Sequence, residues 1–168
     1  VIDVLMENGL TFDGAIGVSA GACFGVNVKS RQIGRALRYH LKYDKDPRYA
    51  SIHSWLTTGD FFNAEFCYHT LPEKLDLMDM DTFHKNPMKF YLVATDIESG
   101  KPFYYEVEDI NYESLEMVRA SASMPMFARE VSLNGHLFMD GGISDSIPLR
   151  KFNEMGYTKN IVVLTQPE

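Results

Sequence analysis

The sequence contains few cysteines, no long apolar run and no basic tract, and each shortage argues against a class of protein. Cys23 and Cys67 are its two cysteines. Their spacing resembles neither a metal site nor a disulfide framework, so we expect free thiols in a reducing cytoplasm. No stretch approaches the roughly 20 consecutive apolar residues of a membrane-spanning helix. No basic start followed by an apolar run marks a signal peptide at Val1.

The charge balance is acidic, with 23 Asp and Glu against 16 Lys and Arg and a formal net charge of −7. Nucleic-acid binding relies on Lys and Arg to neutralise phosphates, so we expect no nucleic-acid partner. A chain with this negative charge is not attracted electrostatically to the surface of an anionic membrane. Contact with a lipid would therefore have to be apolar.

Length and composition favour one globular domain over residues 1–168. Apolar residues make up 45% and charged residues 23% of the chain, which is ordinary globular usage. A chain of this length buries roughly 70% of its unfolded surface, enough for a core and a screened site. It opens within an apolar pattern at Val1 and ends after the strand-like run 161–164. We therefore expect the domain to be incomplete at both ends.

The first thirty residues have the pattern helix, strand, sharp turn and helix, which is typical of an α/β fold. Apolar spacing predicts the buried face of a short helix over 1–8, a buried strand over 12–18 and a close-packed helix over 20–28. Residues 31–42 predict an amphipathic helix with a solvated basic face. Its apolar side is expected to carry Ile33, Leu37 and Leu41.

Further along, residues 44–60 are polar and turn-rich. The elements expected after them are a helix over 61–75, an acidic loop or short helix over 76–87, a strand over 88–95 in a hairpin with 103–107, a helix over 113–122, a hairpin over 130–139, a helix over 148–156 and a buried strand over 160–165.

Gly17-Val18-Ser19-Ala20-Gly21 is a G-x-S-x-G sequence between a predicted strand and a predicted helix. A serine at so tight a turn adopts a strained backbone that projects its hydroxyl, and glycine is expected at 17 and 21 because side chains would collide there. The helix that follows directs free N–H groups to the same point, so the Ala20 N–H is a candidate oxyanion donor. The alternative is a turn in which Ser19 only caps the helix.

A histidine base is hard to assign. None of the five histidines follows Asp140, so a triad in the order Ser, acid, His cannot use that aspartate. The remaining conventional triad joins Ser19, Asp96 and His136. His136 lies within the predicted 130–139 hairpin, where a lone histidine is more often structural.

Asp140-Gly141-Gly142 offers another base. An aspartate at a strand end, followed by two glycines, can approach a neighbouring loop closely. A carboxylate within hydrogen-bond reach of a serine hydroxyl acts as a general base without an imidazole. The triplet by itself is equally typical of a common turn.

In order, Gly17–Gly21, Ala120–Pro125 and Asp140–Gly142 resemble the blocks of the patatin-like phospholipases, in particular their bacterial branch. The resemblance runs from residue 1 to about 165. It implies a three-layer α/β/α fold with a central, mostly parallel sheet, and a lipid acyl hydrolase with Ser19 as nucleophile and Asp140 as base. It implies no metal, no cofactor and no catalytic histidine. The Ala120–Pro125 block matches a segment near the active site, to which we assign no chemistry.

One block of that family is missing. Its members carry a G-G-G-x-R-G loop that supplies oxyanion donors, and this sequence has none, so we expect residues 1–168 by themselves to be weakly active or inactive. A lipid-facing surface is a further possibility, formed by some of Trp55, Phe61-Phe62, Met124 and Met126-Phe127. Two other functions stay open, namely a Ser–His–Asp esterase using His136 and a non-catalytic module that binds an anion at the helix N-terminus.

Overall fold

The computed structural model describes residues 1–165. The strands are β1 (Gly14–Val18), β2 (Lys89–Asp96), β3 (Pro102–Glu106), β4 (Val131–Leu133) and β5 (His136–Asp140). The α-helices are α1 (Ile2–Glu7), α2 (Ala20–Lys29), α3 (Arg35–Tyr43), α4 (Ile52–Thr58), α5 (Met80–Lys85), α6 (Tyr112–Ser121) and α7 (Leu149–Glu154). A π-helix spans Glu65–Leu75 and a 3₁₀ turn spans Gly141–Ile143.

The strands form one mixed sheet in which β2 is central. β1 pairs with β2 in parallel, whereas β3 and β5 pair with β2, and β4 with β5, in antiparallel fashion. The α/β class is confirmed. The expectation of a mostly parallel sheet is not met within residues 1–165, because both hairpins contribute antiparallel strands to it.

Helices cover both faces of the sheet. Alternate residues of β2, such as Phe90 and Leu92, enter the main core together with residues of α2 and α6. On the opposite face, the ring of Tyr91 packs edge-on against Phe152 of α7. Side chains alternate across a strand, so these contacts define a helix layer on each side of the sheet. The expected three-layer arrangement is therefore present.

Helix α3 presents the opposite face from the one predicted. Ile33, Leu37 and Leu41 are exposed, while Arg35 and Tyr39 are buried. The reason is a long-range anchor, because the Arg35 guanidinium donates to the backbone carbonyl of Asp76 and to the side chain of Asn27. A buried arginine needs such partners, and apolar periodicity cannot reveal them.

Other expectations were wrong in detail. Helix α1 exists but buries none of its residues, and the polar stretch 44–60 contains the helix α4, whose N-cap Ser51 accepts a hydrogen bond from the Ser54 N–H. Residues 160–165 form no strand, and Ile161 is 57% exposed. A strand requires a hydrogen-bonded neighbour, and residues 161–164 have none within the described part of the chain.

Asp76 ties α3 to the segment after the π-helix. Its carboxylate accepts two hydrogen bonds from Arg38, at 2.8 and 2.7 Å, and its Oδ1 lies 3.3 Å from Arg35 Nε. The hydrogen bonds from Arg38 lower the pKa of the Asp76 carboxyl. This stabilisation is fully present above the unfolded pKa of about 3.9, and it is lost as the pH falls through the lower folded value.

We predict that Asp76→Ala lowers the free energy of unfolding by about 3 kcal/mol near neutral pH, because Arg35 is left buried without its counter-charge. Urea denaturation followed by circular dichroism measures this change. Asp46→Ala is the control, since it removes an exposed pair with Arg48 and should leave the midpoint nearly unchanged. Equal midpoints for the two variants would contradict the anchoring role of Asp76.

Candidate active site

Two strands meet end to end on one edge of β2. Val93 pairs with Val18 of β1 and with Tyr104 of β3, whereas Ala94 pairs with Asp140 of β5 and with Phe103 of β3. Because β3 occupies one edge of β2 at both positions, β1 and β5 must share the other edge. β1 therefore ends where β5 ends, which brings Ser19 and Asp140 to the same point of the sheet.

The backbone at Ser19 is strained. Its φ of 54° and ψ of −118° are unusual for a residue with a side chain. Ser19 is the N-cap residue of α2, yet its side chain makes no capping hydrogen bond. The turn therefore does not use the Ser19 hydroxyl to cap the helix, which argues against the purely structural interpretation of this serine.

The two glycines of the motif differ. A Cβ built at Gly17 would collide with the backbone carbonyl of Gly21, whereas a Cβ at Gly21 would meet no described atom within 4 Å. Steric need is therefore confirmed at Gly17, and the same expectation is wrong at Gly21 within residues 1–165. The N–H groups of Ala20 and Gly21 lie in the first turn of α2, where no intrahelical acceptor exists for them.

The segment 120–125 links the two halves of the site, a role that the sequence did not reveal. The Ser121 hydroxyl accepts a hydrogen bond from the Ser19 N–H at 3.1 Å and donates to the Val93 carbonyl. Two residues on, the Ser123 carbonyl accepts from the Asp140 N–H at 2.9 Å. One helix end thus holds the backbones of both predicted site residues.

Asp140 is buried, and its position is set by several contacts. Its carbonyl accepts from the Thr95 hydroxyl at 2.8 Å, and its Oδ1 accepts from the Gly142 N–H at 2.7 Å. A Cβ at Gly141 would collide with the Val93 carbonyl, which explains this glycine. The second carboxylate oxygen, Oδ2, is buried and has no hydrogen-bond partner among the described residues. Such an orphaned acceptor is costly and is typical of functional sites.

No hydrogen bond joins Ser19 Oγ to Asp140 within residues 1–165, although catalytic hydrogen bonds are often long in unliganded enzymes. The alternative His136–Asp96 pair does form, with His136 Nδ1 3.0 Å from Asp96 Oδ2. This pair lies away from the end of β5. His136 is exposed and precedes Asp140 by four residues of extended strand, which places the two residues about 13 Å apart. The structure therefore separates this pair from Ser19.

A cavity of about 210 Å³ opens beside Ser19. It lies between α2, α3, the π-helix and α6, and most of its walls are apolar. The polar side chains in its wall include Cys23, Tyr39, Tyr49 and Tyr68. His40 also lines it, with its Nδ1 3.2 Å from the Tyr49 hydroxyl. The sequence analysis had singled out none of these residues for the site.

Burial keeps the acidic groups of this cavity neutral. It raises the pKa of the Cys23 thiol to about 12 and that of Cys67 to about 12. The pKa values of Tyr39 and Tyr68 are raised by burial as well. Burial also lowers the pKa of His40, which favours the neutral imidazole. Arg35 also lines the cavity, but its guanidinium is bonded to Asn27 and to the Asp76 carbonyl. The rest of the wall is uncharged, so the cavity suits an uncharged ligand group.

The sequence model of the patatin-like phospholipase family matches residues 1–152. The chain belongs to this family, whose activity is lipid acyl hydrolysis. A protein of Escherichia coli (strain K12), described as "Uncharacterized protein YjjU", is 28% identical over 160 residues, which cover 93% of this chain and 44% of the relative. The chain thus spans less than half the length of this curated relative.

We predict opposite outcomes for alanine at the two motif glycines. Gly17→Ala should lower the free energy of unfolding by about 2 kcal/mol or more, because its methyl group strikes backbone that cannot move freely. Gly21→Ala should change it by less than about 1 kcal/mol, in the stabilising direction, since alanine suits a helix better. Chemical denaturation of both variants measures the contrast. A Gly17→Ala protein as stable as Gly21→Ala would contradict the geometry of the turn.

Proposed function

We propose that the chain is a serine-dependent hydrolase of lipid acyl esters, in which Ser19 is the nucleophile and Asp140 its base. The observation that carries the proposal is the buried, unpartnered Oδ2 of Asp140 at the end of β5, next to the end of β1 that Ser19 follows. The strained φ of Ser19 and the adjoining cavity support it. Residues 1–168 are taken as one hydrolase domain, and the cytoplasmic location and lack of cofactor stay predictions.

In the first half-reaction, Ser19 Oγ attacks the acyl carbonyl carbon while its proton passes to Asp140 Oδ2. The N–H of Ala20, at the positive end of the α2 dipole, stabilises the oxyanion. Collapse of this intermediate expels the alcohol, which takes the proton back from Asp140. The acyl group then remains esterified to Ser19, with its chain in the cavity.

The second half-reaction repeats these steps with water. Asp140 Oδ2 accepts a proton from the water, whose oxygen attacks the acyl carbon. The Ser19–acyl bond then breaks, and Ser19 recovers its proton as the carboxylic acid leaves. The mostly apolar pocket suits this chemistry, because an ester group carries no charge.

Oxyanion stabilisation limits the rate of this chain on its own. The first turn of α2 offers N–H donors, and an active site that lacks one oxyanion donor typically loses ~10²–10³ in rate. We therefore expect residues 1–168 alone to be weakly active or inactive, so the activity tests use the full-length protein.

An exposed apolar ridge is suited to a lipid surface. We define it by its exposed members, which are Ile52, Trp55, Leu56, Met126 and Phe127. Trp55 Nε1 donates to the Met126 carbonyl at 2.9 Å, which joins α4 to the loop 124–127. Met124 in that loop lines the cavity, so the ridge adjoins the cavity wall. Exposed apolar patches of this kind mark interaction surfaces.

The first test of the proposal is covalent. A fluorophosphonate probe should label the full-length protein, and Ser19→Ala should abolish the label. Asp140→Asn retains the shape of the side chain but removes the proton acceptor, so the labelling rate and the ester turnover should both fall by ~10² or more. In-gel fluorescence and an ester-hydrolysis assay provide the measurements.

His136→Ala is the matched control, and it should leave both rates nearly unchanged. Loss of activity in His136→Ala would favour a Ser–His–Asp esterase instead. A wild-type protein that resists labelling would favour an anion-binding module. Wild-type rates in Asp140→Asn would rule out the dyad.

The second test concerns the apolar ridge. The full-length protein should co-sediment with phosphatidylcholine vesicles, and replacement of Leu56, Met126 and Phe127 by serine should weaken binding at least tenfold. The control replaces Leu37 and Leu41, two exposed leucines on the outward face of α3, by serine. Equal losses in the two variants, or binding to anionic vesicles alone, would contradict the assignment of the ridge.

A further inference from the structure

One polar group in the cavity wall has neither a role in the proposed mechanism nor a hydrogen-bond partner in the described chain. Tyr39 is only 7% exposed, and its side chain lines the cavity that contains Ser19. Its hydroxyl forms no hydrogen bond with any residue of the described chain. It is not sealed inside the protein either, because Asp140 Oδ2 is the sole fully buried side-chain oxygen or nitrogen left unpartnered within residues 1–165. The Tyr39 hydroxyl therefore retains some accessible surface, and Tyr39 is one of the residues that line the cavity.

The other phenols of the same wall differ from Tyr39. The Tyr49 hydroxyl is paired with His40 Nδ1, and the Tyr68 hydroxyl accepts a long hydrogen bond of 4.0 Å from the Cys23 thiol. Tyr39 is thus the phenol whose donor and acceptor capacity are both unused by the protein. Its raised pKa, caused mainly by burial, keeps the O–H group protonated.

An unsubstituted acyl chain would leave this hydroxyl unpartnered once it fills the cavity. Burying a hydroxyl without a hydrogen bond is unfavourable, and sites with a free polar group discriminate between ligands that do and do not supply its partner. A chain that carries its own hydroxyl group removes this penalty.

We propose that the cavity selects acyl chains bearing a hydroxyl group, and that the Tyr39 hydroxyl is the specificity-determining hydrogen-bond partner of that group. This inference rests on the proposed function for its biological meaning, since it assumes that the cavity receives the acyl chain. The inference predicts tighter binding of hydroxylated than of unsubstituted acyl chains, and this difference can be measured without hydrolysis.

The test uses the full-length Ser19→Ala protein and neutral probes, namely methyl octanoate and a series of methyl hydroxyoctanoates with the hydroxyl at successive carbons. Isothermal titration calorimetry gives the affinities. For at least one hydroxyl position the hydroxylated ester should bind about fivefold more tightly than methyl octanoate, as expected for one net hydrogen bond. Adding Tyr39→Phe should bring that ratio to about one.

Tyr43→Phe is the matched control, because Tyr43 is buried on the same helix one turn later and does not line the cavity. It should retain the preference. A preference that survives Tyr39→Phe, a preference lost equally in Tyr43→Phe, or no hydroxyl preference at any position would each overturn the inference. Ester hydrolysis by the wild-type protein is measured separately. A binding preference for hydroxylated esters without any hydrolysis would therefore contradict only the proposed function.

Discussion

The sharing of one edge of β2 by β1 and β5 is the constraint on which the site depends. A parallel strand stops at Val93 and an antiparallel strand arrives at Ala94, so two chain segments 121 residues apart in sequence meet within the span of one strand. Each segment must turn away at the meeting point to avoid the other. β1 turns into α2 through the strained Ser19, and β5 turns into the 3₁₀ turn at Gly141. The strained backbone of Ser19 lies at this junction, whereas Asp140 turns without a positive φ.

The end of α6 stabilises this junction. Ser121 is the last residue of α6 and Ser123 follows two residues later. They form hydrogen bonds with the backbones of Ser19 and Asp140. Both serines are almost completely buried, and removing a partner from such a group would leave a costly unpaired donor or acceptor. The hydrogen bonds fix backbone positions and leave the Asp140 Oδ2 free. A positioned backbone beside a free acceptor is suited to the general-base role proposed for Asp140.

Local signals in the sequence predicted much of this site. The strand-turn-helix context of Ser19 and the turn after Asp140 are both determined by residues that are close in sequence, so they can be recognised without a structure. Long-range contacts account for what was missed. Apolar spacing placed Leu37 and Leu41 in the core, but Arg35 binds Asp76, 41 positions further along, and rotates α3 the other way. That rotation also brings Tyr39 into the cavity, which no periodicity argument could predict.

The proposed hydrolase site lies at a strand junction, beside a mostly apolar pocket that an exposed apolar ridge adjoins. The central claim is that Asp140 Oδ2 serves Ser19 directly. A crystal structure of the full-length protein with an alkyl phosphonate bound to Ser19 tests this claim most directly. We predict Asp140 Oδ2 within about 3.2 Å of Ser19 Oγ or of the phosphonate oxygen that replaces the attacking water, with no imidazole between them. A carboxylate turned away from the adduct, or a histidine nitrogen in its place, would contradict the account.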